Sequence, residues 1–482
     1  MDDAARNPAS TSGWAPLLLI ALFWLAAFCS GYPAPFIDDI WYATPAVSLA
    51  EHGAYSNYVS DILAPIDSQR LFLAYLPLHS YVLAAWLKVF GVGAAPLRSF
   101  QVLAAAGASW ALWHLLRPAA FRDATALLVS ALVYVLLGGA GLRPDALALL
   151  LFLLGLRVYH SRRAAGYFLG CLFLALSFIC SFNTAAVALL VVVSSLAALR
   201  WVRGSSWREV FGYAMAGATA FALVLLLFLW MIDFRLHDFL RCIAVTHADG
   251  SAGVRRRFME QLFTPFWFSK WVVGQAALPL FCGIFWFRRG AQDRVQTWIV
   301  GLTLALGYGL FAGVSSGSAT GAHWWAFGCM AGALFLATRP GMATGALLAG
   351  WCLLLPVFVY GHGHQVVEGL LAARPPVNQK TLILDQVRQL SPAPTRIYVD
   401  EYAWREIYDC RLPANGFDFV SARKPGGYAT VANLPPDSVA ILSVKNAGVE
   451  YSQRLGRPLR LFGHPVWGVF ANPGDLLLIP RP

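Results

Sequence analysis

The stretch Phe36-Ile37-Asp38-Asp39-Ile40-Trp41-Tyr42 places two adjacent carboxylates shortly after the first long apolar run, residues 14–31. A run of this length and composition predicts a membrane helix. Asp38 and Asp39 therefore lie where the chain leaves the membrane, and an acidic residue at that depth either faces water or lines a polar cavity. A solvated loop pair and a functional pair of carboxylates both stay open at this point.

Composition places the chain among membrane proteins. Of its 482 residues, 58% are apolar and 13% are charged, whereas a soluble domain carries about 25% charged residues. The eight Cys form no CxxC pair and no Cys/His cluster, which argues against structural zinc and redox chemistry. Most of the Arg behind the net charge of +11 fall in short loops. That distribution is typical of topology signals and lipid contacts and not of nucleic-acid binding.

The apolar runs predict a polytopic α-helical membrane protein with about eleven transmembrane helices. Each run is close to the ~17–25 residues that a helix needs to cross a bilayer. The first run lacks a strongly basic n-region and a clear cleavage site, so it is interpreted as a retained anchor. The runs cover residues 14–31, 97–116, 124–141, 146–160, 167–182, 185–200, 210–232, 271–287, 295–313, 323–338 and 341–360.

The run 77–90 is excluded from the spans because it is too short to cross and begins with a proline. Its apolar side chains recur at helical spacing, which suits a helix lying flat in the membrane interface. The residues of this face are Leu78, Tyr81, Val82, Ala85, Trp86 and Val89.

A flat helix at 77–90 also sorts the arginines between the two sides of the membrane. The short loops of one side then receive only Arg143. The other side receives Arg6, Arg117, Arg122, Arg162, Arg163, Arg200, Arg203, Arg208, Arg288, Arg289, Arg294 and Arg339. The positive-inside rule puts this second side in the cytoplasm, with the N-terminus, and puts Asp38, Asp39 and the polar C-terminus outside.

Two domains follow from this topology. Residues 1–361 form the transmembrane domain, with outer loops at 32–96 and 233–270 and a short outer turn at 141–145. Residues 362–482 are predicted to form a small external α/β domain. Its predicted elements are a helix at 378–390 and strands at 396–400, 439–444 and 476–479.

The three outer loops should converge in a compact bundle and bring polar side chains to a common surface. A carboxylate near the membrane plane suits a reaction on a lipid-linked phosphate, because it accepts a proton from a hydroxyl while cations stabilise the departing phosphate. The candidates are Asp38, Asp39, His79, Arg143, Asp145, His247, Arg255, Arg256 and Arg257.

Simpler interpretations of the same residues stay open. The run Arg255–Arg257 is also typical of a surface patch that contacts lipid headgroups. His247 fits an ordinary loop histidine, and His79 fits the water-facing side of the flat helix. Asp145 fits the N-cap of the following span.

Three segments resemble the outer loops of C-type membrane glycosyltransferases, in the branch of the protein O-mannosyltransferases and the lipid A aminoarabinose transferases. They are Pro35 to Tyr42 with the following Ala46 to Tyr55, Tyr75 to Arg98, and Arg143-Pro144-Asp145. The resemblance covers roughly residues 14–360 in layout. It implies a GT-C-like fold and a bacterial inner-membrane location.

The resemblance also implies a reaction. Such enzymes take a sugar from a polyprenyl-phosphate carrier on the outer face and transfer it, with inversion, to a hydroxyl of a lipid, glycan or protein. An acidic residue of the first outer loop is the base, which corresponds to Asp38, with Asp39 as its neighbour or substitute. Asp145 matches the acidic position of the second outer loop, and His247 resembles a loop histidine that binds metal in some relatives.

This chain departs from the family pattern before the flat helix. Relatives often carry an acidic-Lys-Pro-Pro element where this chain has Tyr75-Leu76-Pro77-Leu78, and Asn183 stands where relatives can have a second Lys. Donor binding would then rely on Arg143 and Arg255–Arg257. No cofactor is assigned, and a divalent metal stays open. The alternative functions are a lipid or polysaccharide transporter or flippase, which would carry ionisable residues inside its spans, and an inactive scaffold of the same fold.

Overall fold

The computed structural model describes residues 39–57, 71–116, 142–159, 164–201 and 204–244, together with nine strands between Arg396 and Leu477. The first five of these ranges are mostly helical, and residues 236–244 are also helical. Seven helices are bounded at both ends in these ranges. They are α1 (Asp39–His52), α2 (Leu78–Phe90), α3 (Ala94–Leu116), α4 (Asp145–Tyr159), α5 (Ala164–Phe178), α6 (Phe182–Trp201) and α7 (Trp207–Met231).

The helix α7 is built to be long, continuous and apolar. A capping box starts it, because the Ser206 hydroxyl accepts from the Glu209 backbone N–H while the Glu209 carboxylate accepts from the Ser206 N–H. These two bonds satisfy N–H groups that would otherwise lack partners at the helix start. Among the described residues, α7 is the one helix long and apolar enough to cross a membrane by length and composition.

The helices α3 and α4 run in the same direction, and so do α5 and α7. The guanidinium of Arg157 in α4 lies 5.3 Å from the Trp110 ring of α3, and the start of α5 meets the start of α7 through Tyr167 and Tyr213. The helices α4 and α5 run in opposite directions, because the Cys180 thiol just after α5 donates to the Pro144 carbonyl just before α4 at 3.7 Å. The helix ends therefore sort into two groups.

We name the two ends of the bundle by their arginines. The Arg143 end contains the turn 142–145, the turn 179–181 and the C-terminus of α7. The Arg200 end contains the C-termini of α3, α4 and α6 and the N-terminus of α7. Of the arginines predicted to lie on the cytoplasmic side, Arg200 and Arg208 are described and lie at the Arg200 end; the side of the membrane on which each end lies stays a prediction.

Small residues let neighbouring helices approach closely. A Cβ added at Gly155 of α4 would lie 2.9 Å from Leu174 Cγ and 3.1 Å from the Gly170 carbonyl oxygen, both in α5. Such distances leave no room for a side chain. Close contact through small residues is a common way for apolar helices to associate when packing, and not the exclusion of water, holds them together.

The helices α1 and α2 pack on each other at the Arg143 end. The predicted helix 77–90 is confirmed as α2, Leu78–Phe90. Its buried side carries Leu78, His79, Ser80, Leu83, Ala84 and Leu87. Half of the face predicted to meet the membrane is exposed, namely Val82, Ala85 and Val89, whereas Leu78 of that face is buried.

The C-terminal strands form one five-stranded mixed sheet and two short hairpins. The strands are β1 (Arg396–Val399), β2 (Asp418–Ser421), β3 (Arg423–Lys424), β4 (Gly427–Tyr428), β5 (Ser438–Leu442), β6 (Leu459–Leu461), β7 (His464–Val466), β8 (Gly468–Ala471) and β9 (Asp475–Leu477). The sheet order is β2-β1-β5-β8-β9. The strand β1 pairs in parallel with β2 and β5, and the remaining pairs of this sheet are antiparallel. The three predicted strands are confirmed as β1, β5 and β9.

Five predicted spans coincide with described helices, α3 to α7, within a few residues. The largest difference is at α5, which ends at Phe178 instead of 182 because residues 179–180 turn. The Thr184 hydroxyl donates to the Ser177 carbonyl at 2.7 Å and closes this turn. The remaining predicted spans and the helix 378–390 lie outside the described residues; these spans are 14–31, 124–141, 271–287, 295–313, 323–338 and 341–360.

Candidate functional site

The acidic pair of the first outer loop lies at the start of α1. Asp39 is the first residue of that helix, and Asp38 is the residue before it, outside the described residues. An acidic residue is favoured in the first helical turn, where the backbone N–H groups point outward. Tyr42 follows Asp39 by three residues, close to one helical turn along α1.

A charged pair organises the second outer loop. The Arg143 Nε donates to Asp145 Oδ2 at 2.9 Å. The Asp145 carboxylate is fully buried at the first position of α4, whereas the Arg143 side chain is partly exposed. A carboxylate removed from water needs a cation or several hydrogen bonds to stay ionised. Arg143 supplies the cation for Asp145, which ties the turn to its own helix.

An aromatic side chain joins the first outer loop to this pair. The Arg143 guanidinium carbon lies 5.6 Å from the centre of the Tyr42 ring, within the range of a cation–π contact. The Tyr42 ring also packs on Tyr75, with centroids 4.8 Å apart. Tyr42 is therefore a contact by which α1 meets the turn 142–145. It was not among the predicted site residues, although it stands in the acidic motif, about one helical turn after Asp39.

His79 lies behind Tyr42 and not on the water-facing side of α2, so that interpretation was wrong. Its ring packs on Phe100 and Tyr42, with centroids 5.6 and 6.4 Å away. Neither ring nitrogen makes a hydrogen bond of good geometry within the described residues.

The electrostatic state of His79 follows from this burial. Burial lowers the pKa of His79 from its ordinary 6.5 to about 4, and the nearby Leu142 carbonyl and the Asp145 charge offset only part of the lowering. The imidazole is therefore neutral at pH 7. A neutral, buried ring has no net charge with which to attract a phosphate, so His79 belongs to the packing of this end.

Hydrogen bonds pin the two described halves of the first outer loop together. The Phe72 backbone N–H donates to the Tyr55 carbonyl at 2.8 Å, and the Tyr55 hydroxyl reaches the Tyr75 carbonyl at 3.5 Å. Burial raises the pKa of Tyr55, so its hydroxyl keeps its proton as a donor. These bonds hold the segment that carries Tyr75 in place, with the Tyr75 ring against the Tyr42 ring.

The third outer loop begins beside α2. The Tyr81 hydroxyl donates to the Met231 carbonyl at 2.9 Å, and the Tyr81 ring packs on Trp230. The described parts of all three outer loops therefore meet around α2. His247 and Arg255–Arg257 lie outside the described residues, as does Asp38. Of the candidates, the structure brings His79, Arg143 and Asp145 together, with the start of α1 close by.

The described residues hold no group of three or more His, Cys, Asp or Glu side chains placed to bind a metal ion. In comparisons with known proteins, no family model and no curated protein matches the chain.

Proposed function

We propose that the chain is a multi-pass inner-membrane glycosyltransferase that moves a sugar from a polyprenyl-phosphate donor to an acceptor hydroxyl outside the membrane. The observation that carries the proposal is the junction of the first two outer loops. Tyr42 of α1 lies against the Arg143 side of the Arg143–Asp145 pair, and α1 begins at Asp39. The acidic motif is thus attached to a helix whose first turns are packed on the second loop.

The membrane part of the proposal is supported by α7. At 25 residues it is about 37 Å long, more than the ~30 Å hydrocarbon thickness of a bilayer. Its solvent-accessible side is rich in large apolar side chains that are about half exposed or more, among them Phe211, Met215, Leu223, Leu226 and Trp230. Exposing such an apolar face to water is unfavourable, whereas contact with lipid acyl chains removes it from water. About eleven spans and a C-terminal α/β domain outside the membrane belong to the same proposal.

The chemistry follows from the needs of the reaction. An acceptor hydroxyl is a weak nucleophile until a base takes its proton, and the departing phosphate needs positive charge. Asp38 is the proposed base. Because Asp145 already neutralises Arg143, we assign the phosphate mainly to Arg255–Arg257 and give Arg143 the role of fixing the two outer loops.

The placement of charge favours an enzyme over a transporter. Transporters carry ionisable residues near the middle of their spans, often at broken helices. In α3 to α7, within the described ranges, the charged residues lie close to helix ends, namely Arg98, Asp145, Arg157, Arg200, Arg208 and Glu209. Chemistry at one face of the membrane fits this pattern better than a path through it.

The test is the rate of sugar transfer by Asp38→Asn in proteoliposomes. A panel of labelled polyprenyl-phosphate monosaccharides is offered to the purified protein, and the acceptor class is first found by glycan and lipid profiling of a strain that lacks the gene. Losing the base should lower turnover roughly a hundredfold or more. Donor binding should survive, because the change removes negative charge near a phosphate.

Two matched variants complete this test. Asp39→Asn removes the neighbouring carboxylate and should do less harm. Glu51→Gln removes a carboxylate at the opposite end of the same helix and should transfer at the normal rate. Normal transfer by Asp38→Asn would remove Asp38 from the mechanism, and normal transfer by both Asp38→Asn and Asp39→Asn would overturn the enzyme proposal.

A further inference from the structure

The segment after α7 combines an unusual backbone with three distinct faces. Asp233 and Phe234 both have positive φ, 54° and 56°, a conformation that is a genuine outlier for a bulky residue such as Phe. The chain then continues as a helix over 236–244. The Arg235 side chain donates to Asp238 at 2.7 Å across its first turn.

One face of this helix packs on the protein. Phe239 is 4% exposed and Cys242 is fully buried. The Phe239 ring meets Phe228 of α7 edge to face, with centroids 5.0 Å apart. The helix is therefore held against the end of α7 and does not project freely.

A second face is apolar and uncovered. Leu240 is 57% exposed and lies one turn after Leu236, and Phe234 is 66% exposed just before them. These three residues follow Trp230 closely in the chain, and Trp230 is itself 60% exposed in the last turn of α7. The third face is polar and also exposed, with His237 and Arg241.

We infer that residues 234–244 form an interfacial anchor, whose Phe234, Leu236 and Leu240 rest in the boundary between acyl chains and headgroups of the outer leaflet. Its position directly after α7, whose exposed apolar side is proposed to face lipid, favours lipid as the occupant. A helix with one packed face, one apolar face and one polar face that carries Arg241 lies in this way at a membrane surface, with the arginine at the phosphates. Lipid contact also accounts for Phe234, which keeps a disfavoured backbone with its ring uncovered. The inference rests on the proposed membrane placement but not on sugar transfer.

The test measures depth with single labels in a chain whose native Cys have been replaced. An environment-sensitive fluorophore is placed at Leu236→Cys, Leu240→Cys, His237→Cys or Arg241→Cys, in nanodiscs containing a lipid with a shallow acyl-chain quencher. Labels at 236 and 240 should be quenched severalfold more by the lipid than by aqueous iodide. Labels at 237 and 241 should show the reverse.

Controls separate the inference from the membrane proposal. Leu226→Cys, on the exposed apolar side of α7, should be quenched by lipid, and Phe239→Cys should be shielded from both quenchers. Lipid quenching at 226 without lipid quenching at 236 and 240 would overturn the anchor alone. Shielding of 236 and 240 from both quenchers would also overturn it and would indicate a second protein copy on this face. Absence of lipid quenching at 226 would remove the membrane placement itself.

A second measurement keeps the native cysteines. In nanodiscs, Leu240→Asp should speed hydrogen exchange of the amides in 236–244 severalfold, while His237→Asp, with the same new charge on the polar face, should not. Equal exchange in the two variants would contradict an apolar face resting in lipid.

Discussion

The two ends of the helical bundle hold their arginines in different ways. At the Arg143 end, Arg143 pairs with the buried Asp145 and lies over Tyr42. At the Arg200 end, Arg157 and Arg200 lie over Trp110 and Trp207, 5.3 and 4.8 Å from the ring centres. Within the described ranges, no carboxylate is within ion-pair distance of either of these two guanidinium groups.

The arginines of the two ends therefore make different kinds of contact, with different consequences for the structure. Arg and Trp side chains at the end of a bundle are typical of a membrane interface, where each side chain has an apolar part and a polar part. A buried ion pair within the turn 142–145 has another consequence, because it fixes that turn on α4 while Arg143 also contacts Tyr42 of α1. The Arg143 end is therefore the end where side chains are held in place, as a reacting group requires.

The largest expected effect comes from removing the cation of the buried pair. Arg143→Met removes the cation beside the buried Asp145 carboxylate, which should cost about 3–5 kcal/mol of unfolding free energy. Arg157→Met removes an exposed cation–π contact and should cost about 0.5–1 kcal/mol. Thermal unfolding in detergent, followed by intrinsic fluorescence, should rank the two variants in this order.

The double variant Arg143→Met/Asp145→Leu isolates the cause. It removes the buried carboxylate as well as the cation, so it should recover much of the stability that Arg143→Met loses. If Arg143→Met is no worse than Arg157→Met, the two ends do not differ in the way described, and Asp145 is stabilised by other groups.

The next effect is a pH dependence from His79. Its pKa is lowered to about 4 by burial, so between pH 6.5 and 4 the unfolded chain binds a proton that the folded chain does not. The stability from a neutral His79 is therefore fully present above pH 6.5 and is lost as the pH falls toward 4. The loss approaches about 3 kcal/mol over this window.

His79→Gln checks the source of that dependence, because Gln does not titrate. Its unfolding midpoint should fall less between pH 6.5 and 4 than that of the unaltered chain. His52→Gln, at the exposed C-terminal end of α1, should keep the full dependence. Equal slopes in the unaltered chain and His79→Gln would assign the dependence to other groups.

Sequence patterns predict the helices of this protein better than their contacts. Apolar length fixes α3, α4, α6 and α7 to within about three residues, because the run that can be buried is also the run that is helical. The helix at 77–90 was predicted as well, from the helical spacing of its apolar residues, and its flat position in the membrane interface stays a prediction. In contrast, the burial of His79 and the role of Tyr42 depend on which helices meet, which a single sequence does not state. The Arg143–Asp145 pair is intermediate, since two opposite charges two residues apart already suggest it.

The smallest expected losses of stability come from two variants that each remove one hydrogen bond, one at each end of α7. Tyr81→Phe removes the hydroxyl that donates to the Met231 carbonyl and should cost about 1 kcal/mol, the usual net value of one hydrogen bond. Ser206→Ala removes the cap at the other end of α7 and should cost a similar amount. The two variants should therefore agree in stability and differ in where the chain loosens.

Hydrogen exchange by mass spectrometry measures that difference in location. In Tyr81→Phe, amides after Met231 should exchange faster, because the bond joins α2 to the start of the third outer loop. In Ser206→Ala, faster exchange should be confined to the first turn of α7. Tyr81→Leu also loses the ring contact with Trp230 and should add about 0.5–1.5 kcal/mol to the cost. If Tyr81→Phe leaves exchange after Met231 unchanged, α2 does not hold the third loop, and only the first two outer loops are joined at the Arg143 end.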